Sequence, residues 1–320
     1  MKPKVVIAYP GFGDLAVETE VLSQIDADIH HVGNLSSPEA LAAIEQADAI
    51  MVTLQKVTSE VISRMMRCRV VSRAGTGLDT IDIDAATAKG IWVAYVPDYS
   101  IDEVSTHAIA LLLTQARGIV PLVENTRSRH WDNMASGPVY RLKGQTLGII
   151  GFGRIGQAAA EKGRGLGLKV IVFDPYANQA AVERIGVRVV DLTTLARESD
   201  YISLHAPLID ETRHIINAQL LAQMKPNVYI INAARGPLID EQALLEAVRA
   251  KQIAGAALDV LETEPIDPDS PLLREERILI TPHAAWYSEE AKIDLRTRCA
   301  EEVVRVLSGE KPRSPVNQIR

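Results

Sequence analysis

Short runs of β-branched and other apolar residues alternate with amphipathic stretches along the chain. In the first hundred residues the apolar runs predict five strands, at residues 5–8, 29–32, 49–53, 70–73 and 92–96. The stretches between them have the apolar spacing of helices, for example at 38–46, 58–65 and 82–88. Parallel strands need such crossover connections, so the pattern predicts an α/β fold whose parallel sheet is covered on both faces.

The second part of the chain repeats this rhythm after a long helix and a loop. Apolar residues at helical spacing predict one helix from about 101 to 127, and 130–145 has the turn-forming residues of a surface loop. Six further strands are predicted at 147–150, 170–173, 201–205, 228–232, 256–260 and 278–281, and a last helix at 288–307. These strands mostly lack polar alternation, which is typical of buried parallel strands.

Composition limits the classes of protein that the chain can belong to. It has 320 residues, and 34 Lys and Arg against 41 Asp and Glu give a net charge of −7. This balance argues against a nucleic-acid partner, and no apolar run approaches the ~18 residues of a membrane span. Cys68 and Cys299 lie far apart and form no metal-binding pattern. We therefore expect a cytoplasmic protein of about two domains without a bound metal.

The sharpest motif follows the strand predicted at 147–150. Gly151 permits a tight turn, Gly153 lets the backbone approach a pyrophosphate, and Gly156 allows close helix–strand packing. Asp174 ends the next strand, where a carboxylate binds both ribose hydroxyls and repels a 2′-phosphate. The glycines follow a predicted strand, precede a predicted helix and are followed by an acidic residue at the expected distance, so the motif predicts an NAD site rather than an ordinary tight turn.

Three chemically useful side chains follow three separate strands. Arg235 can hold a carboxylate through two hydrogen bonds, although a surface salt bridge is the alternative. Glu264 and His283 follow the next two strands, and ligands of open α/β sheets collect at such strand ends. His107 lies on the long apolar helix and is predicted to be a core histidine.

Two further segments allow both a structural and a functional interpretation. The loop with Gly75 and Gly77 can form a concave anion site from backbone N–H groups, or a plain strand-to-helix connection. Trp286 can belong to the core or, three residues after His283, form the wall of a substrate pocket.

In this order, these segments resemble the D-isomer-specific 2-hydroxyacid dehydrogenase family. The resemblance is carried by residues 74–82, by Gly151–Gly156 with Asp174, by residues 203–207 with Thr212, and by residues 232–236, 259–265 and 281–288. Within the family, Val-Pro-Asp-Tyr-Ser at 96–100 and the segment 281–288 are most similar to the C-terminal-binding-protein branch and its bacterial relatives.

The resemblance implies two doubly wound parallel-sheet domains with a cleft between them. One is a flavodoxin-like substrate domain, formed by residues 1–100 and 288–320 and therefore discontinuous, and the other is a Rossmann NAD-binding domain at 101–287. A homodimer built mainly from the NAD-binding domains is implied as well.

The family's site residues carry over by position. Arg235 would bind the substrate carboxylate, His283 would be the acid and base, and Glu264 would hydrogen-bond His283. The other implied substrate-binding residues are Gly75, Thr76, Gly77 and Trp286. Cofactor contacts are implied for Thr76, Gly151, Gly153, Arg154, Ile155, Gly156, Asp174, Pro207, Thr212, Ala233, Ala234, Arg235, Asp259, His283 and Ala285.

These assignments predict an oxidoreductase that transfers a hydride between NAD(H) and a small 2-oxo or D-2-hydroxy acid. The alternative is an NAD-gated protein-interaction module that resembles the corepressors of the same branch and has little turnover. The substrate stays open: Trp286 favours a side chain larger than that of glyoxylate, while glyoxylate and hydroxypyruvate are both compatible.

Overall fold

The computed structural model describes residues 2–8, 12–35 and 37–319. The chain divides into two compact units, Met1–Tyr99 with Ser288–Arg320, and Ser100–Tyr287. The strands are β1 (Lys4–Ala8), β2 (Asp28–His31), β3 (Ala49–Val52), β4 (Val70–Arg73), β5 (Trp92–Tyr95), β6 (Thr146–Ile150), β7 (Lys169–Phe173), β8 (Arg188–Val189), β9 (Tyr201–Leu204), β10 (Tyr229–Asn232), β11 (Gly255–Leu258) and β12 (Ile278–Ile280).

The helices lie between these strands and after them. They are α1 (Ala16–Leu22), α2 (Pro38–Glu45), α3 (Ser59–Arg64), α4 (Ile83–Ala88), α5 (Ile101–Ala116), α6 (Ile119–Arg127), α7 (Arg154–Gly165), α8 (Gln179–Ile185), α9 (Leu192–Glu198), α10 (Ala218–Leu221), α11 (Glu241–Arg249) and α12 (Glu289–Leu307). Three short 3₁₀ turns complete the list, at Ser23–Ile25, Gly236–Leu238 and Pro271–Arg274.

The first unit contains a parallel sheet in the order β2-β1-β3-β4-β5, which is the flavodoxin-like order. Ser37, Thr58 and Asp82 each accept a backbone N–H at the start of a helix, because short polar side chains satisfy the unpaired donors there. The terminal segment pairs with the edge strand: Asn317 accepts the N–H of Val93. The last residues thereby cover an edge that would otherwise expose unpaired backbone groups.

The second unit contains a seven-stranded parallel sheet in the order β12-β11-β10-β9-β6-β7-β8. The chain order reverses between β6 and β9, and ligands of such sheets bind beyond the carboxyl ends of the strands near this point. The centres of β6, β9, β10 and β11 are buried, as their uninterrupted apolar sequences require, while the edge strands β8 and β12 are more exposed.

The predicted pair of parallel-sheet α/β domains is confirmed. Each of the eleven predicted strands is present, with ends that agree within two residues. The loop predicted at 130–145 is also confirmed, since it contains neither helix nor strand. β8 was not predicted, because two residues at a sheet edge give no periodic signal.

The prediction of one helix from 101 to 127 is wrong. α5 ends at Ala116, Gly118 has a left-handed φ of 56°, and α6 departs at 62° from the direction of α5. Pro121 explains the break, because in a continuous helix its ring would clash with the carbonyl four residues earlier. In α6 it lies within the first turn, where its missing N–H has no helical partner to lose.

Among the residues that the structure describes, no single helix has the length and apolarity to cross a membrane. The bent pair of α5 and α6 meets this criterion only when both are counted together, by length and composition alone.

Candidate active site

Three neighbouring strands of the second unit position the candidate catalytic residues. Arg235 follows β10, Glu264 follows β11 and His283 follows β12. β10 pairs with β11, and β11 with β12, all in parallel. Their carboxyl ends therefore lie at the same edge of the sheet, as the sequence predicts.

The structure pairs His283 with Glu264. Nδ1 of His283 lies 2.6 Å from Oε2 of Glu264, and the other carboxylate oxygen accepts the N–H of Leu261 at 2.9 Å. Burial raises the pKa of Glu264, but the hydrogen bond and charge of His283, the Leu261 N–H and the charge of Arg235 more than offset it. The net pKa lies below the ordinary value of 4.5, so Glu264 is ionised at neutral pH.

Asp259 builds the loop that presents His283. Its backbone carbonyl accepts the N–H of His283, which has a left-handed φ of 52°. Its carboxylate is 1% exposed and accepts the N–H groups of Ala284 and Ala285, both at 2.9 Å. This set of bonds holds His283 in a backbone conformation that L-residues seldom adopt.

The same carboxylate joins a network that reaches α5. Thr281 donates its hydroxyl to Asp259 at 2.6 Å, and Nε2 of His107 lies 3.1 Å from the Thr281 oxygen. Burial raises the pKa of Asp259, but the bonds from His107, Thr281 and the backbone outweigh burial and lower it. His107 was predicted to be a core histidine with a satisfied hydrogen bond. The hydrogen bond is present, but the side chain is 26% exposed, so the assignment to the core is wrong.

Arg235 lies on a turn that Asn232 closes. The Asn232 side chain accepts the N–H of Ala234 at 3.0 Å and donates to the carbonyl of Arg235 at 2.9 Å. The Arg235 guanidinium donates to the Ala234 carbonyl at 2.7 Å. The charge of this arginine also acts on Glu264, which places both side chains in one electrostatic environment.

Each of the three glycines of the dinucleotide motif is explained by a different feature of the structure. Gly151 has a φ of 92°, and a Cβ there would lie 2.4 Å from the Ala206 nitrogen. A Cβ on Gly156 would lie 2.1 Å from the Gly151 carbonyl oxygen, which explains the close packing of α7. A Cβ on Gly153 would meet nothing within 4 Å, so this glycine leaves open space that suits an approaching phosphate.

Asp174 lies beyond the end of β7, next to this turn. Its Oδ2 accepts the N–H of Phe152 at 2.7 Å, and its Oδ1 accepts the N–H of Tyr176 at 2.8 Å. Arg154 and Ile155 begin α7, whose N-terminal N–H groups favour an anion. These residues fit the adenosine and pyrophosphate parts of NAD.

The remaining predicted cofactor residues lie beyond β9 and β10. Thr212 donates its hydroxyl to the Pro207 carbonyl at 2.6 Å and accepts the N–H of Ile209, which closes the loop after β9. Ala233 and Ala234 follow β10 directly. Their contacts with a cofactor stay a prediction.

His205 lies next to the glycine motif, and no pattern in the sequence predicted a function for it. Its Nε2 bonds the Ser203 hydroxyl at 2.9 Å, whereas its Nδ1 is buried without a partner among the described residues. Its Cβ would lie 3.5 Å from a Cβ placed on Gly156. Burial lowers its pKa to about 4, so the ring is neutral at physiological pH.

The glycine loop of the first unit folds around a buried arginine. The guanidinium of Arg73 donates to the Ala74 carbonyl at 2.6 Å and to the Gly77 carbonyl at 3.1 Å. Gly75 has a φ of 148°, and a Cβ there would lie 2.8 Å from this guanidinium. The conformation of the loop is therefore held by Arg73. The role of Gly75, Thr76 and Gly77 in substrate binding stays a prediction.

Trp286 is partly buried against the core of the second unit. Its ring meets that of Tyr287 edge to face, with centroids 5.6 Å apart. The neighbouring Ala285 is buried in the same core. Both interpretations of Trp286 thus stay compatible with its surroundings.

Potential metal ligands do not cluster in the described part of the chain. No group of three or more His, Cys, Asp or Glu side chains there could hold a metal ion. Cys68 and Cys299 are both buried free thiols, and burial raises the pKa of Cys68 to about 12. A thiol so protonated is a poor nucleophile and metal ligand.

Comparison with known proteins agrees with this geometry. Residues 109–285 match the NAD-binding domain of the D-isomer-specific 2-hydroxyacid dehydrogenases. The chain is 36% identical over 280 residues to the glyoxylate reductase of Korarchaeum cryptofilum, which covers 86% of this chain and 84% of that protein.

It is also 39% identical over 300 residues to the D-3-phosphoglycerate dehydrogenase of Methanocaldococcus jannaschii, which covers 93% of this chain but 57% of that protein. The chain thus spans little more than half the length of such curated relatives. Among solved structures, the D-lactate dehydrogenase from Aquifex aeolicus complexed with NAD and lactic acid has a TM-score of 0.87 and 30% identity, over 96% of both chains.

Proposed function

The chain belongs to the D-isomer-specific 2-hydroxyacid dehydrogenase family, and from this premise we propose that it is an NADH-dependent reductase of small 2-oxo acids. The reverse reaction oxidises D-2-hydroxy acids. Each relative described above is named as an enzyme, so the comparisons do not favour the alternative of an interaction module without turnover.

One observation carries the proposal. The short contact between His283 and the ionised Glu264 lies at the same sheet edge as Arg235. A polarised imidazole and a guanidinium at one edge are the groups that a 2-oxo acid requires, since its carboxylate needs an anchor and its oxo oxygen needs a proton.

The proton transfer is assigned to Nε2 of His283. Because Nδ1 is bonded to Glu264, the other ring nitrogen is the one that faces the reaction. His283 gives its proton to the oxo oxygen during reduction and takes it back during oxidation. Arg235 binds the substrate carboxylate and polarises the oxo group, which positions the oxo oxygen next to Nε2 of His283.

The cofactor supplies the hydride when it is bound. Gly151, Gly153 and Gly156 at the start of α7 would hold its pyrophosphate, and Asp174 would bind the adenosine ribose and disfavour a 2′-phosphate. Asp259 and Ala285 are proposed to lie next to the nicotinamide part. Asp259 also has a role that does not depend on cofactor, because it shapes the His283 loop.

The substrate class is a small 2-oxo acid. We assign further carboxylate contacts to the backbone of Gly75, Thr76 and Gly77 and a side-chain contact to Trp286. Lactate, glyoxylate and phosphoglycerate occur in the names or ligands of the relatives, and this chain's own substrate is to be found among acids of that size.

We also propose a cytoplasmic homodimer. Buried free cysteines are compatible with a reducing compartment. The dimer contact is placed on the second unit, where Ile119 and Val123 of α6 and Trp131 of the following loop expose apolar side chains.

A panel of 2-oxo acids with NADH, followed by nicotinamide absorbance, tests the proposed function. We expect turnover with at least one acid and much weaker turnover with NADPH. Binding of NADH without turnover of any acid in the panel would support the interaction module instead.

A further inference from the structure

A side chain from α11 holds the loop that carries Glu264. Glu241 is the first residue of that helix, and its Oε1 accepts the backbone N–H of Glu262 with a separation of 2.6 Å. The side chain of Glu262 is bonded as well, because its carboxylate lies 2.8 Å from Nε2 of His214. The loop after β11 is therefore anchored at Glu262.

The same loop lies backbone against backbone on the turn that follows Arg235. A Cβ added to Gly236 would lie 1.9 Å from the carbonyl carbon of Leu261 and 2.4 Å from the nitrogen of Glu262. No side chain fits there without moving main chain. Gly236 and Glu241, five residues apart, thus define the position of Leu261 and Glu262.

Hydrogen bonds connect Leu261 to Glu264 and His283, so the position of Leu261 determines the orientation of the Glu264 carboxylate. The N–H of Leu261 donates to Oε1 of Glu264 at 2.9 Å, and Oε2 of the same carboxylate lies 2.6 Å from Nδ1 of His283. A shift of Leu261 would turn the carboxylate away from the imidazole. Glu241 has no described hydrogen bond to His283 or Arg235, and its hydrogen bond to this loop is the geometric link to the pair. Its charge also acts on Glu264 directly, so the test has to separate the acceptor oxygen from the charge.

We propose that Glu241 is a positioning residue of the active site: its carboxylate oxygen accepts the Glu262 N–H and so aims Glu264 at Nδ1 of His283. The acceptor oxygen, and not the negative charge, carries the role. The consequence for turnover rests on the proposed function, whereas the consequence for the Glu264–His283 bond does not.

The test compares Glu241→Gln, which keeps an acceptor oxygen, with Glu241→Ala, which removes it. Glu246→Ala is the matched control, because Glu246 lies on the exposed side of the same helix and bonds only to Gln242 in the described structure. Glu241→Met, of similar length and without an acceptor, replaces the alanine variant if that variant does not fold.

The first readout is the Nδ1 proton resonance of His283 in NMR spectra of the intact 320-residue chain, assigned by its loss in His283→Gln. The second is kcat for NADH-dependent reduction, with NADH affinity measured in parallel. We expect Glu241→Ala to lose or broaden the resonance and to lower kcat about tenfold, part of what a general acid contributes. NADH affinity should be unchanged, and Glu241→Gln and Glu246→Ala should stay within about twofold of wild type in every readout.

Two results would overturn the proposal. One is an unchanged resonance in Glu241→Ala or Glu241→Met. The other is a Glu241→Gln variant as impaired as the alanine variant, which would assign the effect to charge. If the wild type reduces no 2-oxo acid, the proposed function fails, but the resonance still decides whether Glu241 positions the pair.

Discussion

His283 depends on its neighbours for both its conformation and its chemistry. Asp259 holds its left-handed backbone through the carbonyl and the following N–H groups, and Glu264 fixes the ring through Nδ1. The family resemblance implied the Glu264–His283 pair. It could not predict that Asp259 shapes the loop, because a carboxylate after a strand has no visible partners in a sequence.

Replacing the acid tests this arrangement. His283→Gln should lower kcat/KM for the preferred 2-oxo acid by about 10² to 10⁴, because it removes the proton donor. NADH affinity, measured by nicotinamide fluorescence, should stay within about twofold. His130→Gln is the control, since His130 is exposed in the loop after α6. Unaltered turnover in His283→Gln would remove His283 from the mechanism.

His205 gives a prediction about acid stability. Its pKa is lowered by burial from 6.5 to about 4, so between these values the unfolded chain binds a proton that the folded chain excludes. The free energy of unfolding is therefore not reduced by His205 above pH 6.5, and it decreases as the pH falls from 6.5 toward 4. By linkage the full loss is about 3 kcal/mol.

Urea unfolding of wild type and His205→Gln across pH 4 to 7 measures this effect. The urea midpoint of the wild type should fall more steeply with acidification than that of the variant. Only in the wild type does unfolding expose a histidine that binds a proton at these pH values. Parallel pH dependences would contradict the burial of an uncharged His205.

At the level of elements, the glycine turn before α7 contains one glycine that the fold requires and one that only cofactor binding is expected to require. A Cβ on Gly156 would collide with the Gly151 carbonyl, whereas a Cβ on Gly153 would meet nothing. Gly153→Ala should therefore melt within a few degrees of wild type while NADH affinity falls at least about tenfold. Gly156→Ala should lose both thermal stability and NADH affinity.

Gly165→Ala is the matched control, because Gly165 ends α7 and a Cβ there has open space. It should leave melting temperature and NADH affinity close to wild type. Full NADH affinity in Gly153→Ala would contradict the assignment of the open space to the pyrophosphate.

Strand positions were predictable from the sequence, and the ends of helices less so. Buried parallel strands have uninterrupted apolar runs between turn residues, so each such run was found. The break at Gly118 was missed, because the apolar spacing of α5 continues past it and only Pro121 marks the new start. Glu241 was missed because an acidic residue in a first helical turn is ordinary.

At the level of the whole molecule, the two compact units differ in how continuous they are. The second unit is one segment, Ser100–Tyr287, while the first combines both ends of the chain. The family resemblance, and not periodicity, predicted this discontinuity, since no local pattern tells that α12 returns to the first sheet.

The exposed apolar residues of the second unit predict self-association. Wild type should sediment as a dimer, and a double variant with Ile119→Glu and Val123→Glu should sediment as a monomer, because charges would be buried in the contact. A variant with Leu54→Glu, which changes an exposed apolar residue of the first unit, is the control and should stay dimeric. A monomeric wild type would contradict the proposed homodimer.

The central claim is that a hydride passes to C2 of a 2-oxo acid in a site built by Arg235, Glu264 and His283. Turnover with NADH that carries deuterium at both C4 positions of the nicotinamide, followed by chiral analysis and mass spectrometry of the product, tests it most directly. We predict a D-2-hydroxy acid that carries one deuterium at C2. An L-configured product, or a product without deuterium at C2, would contradict the account.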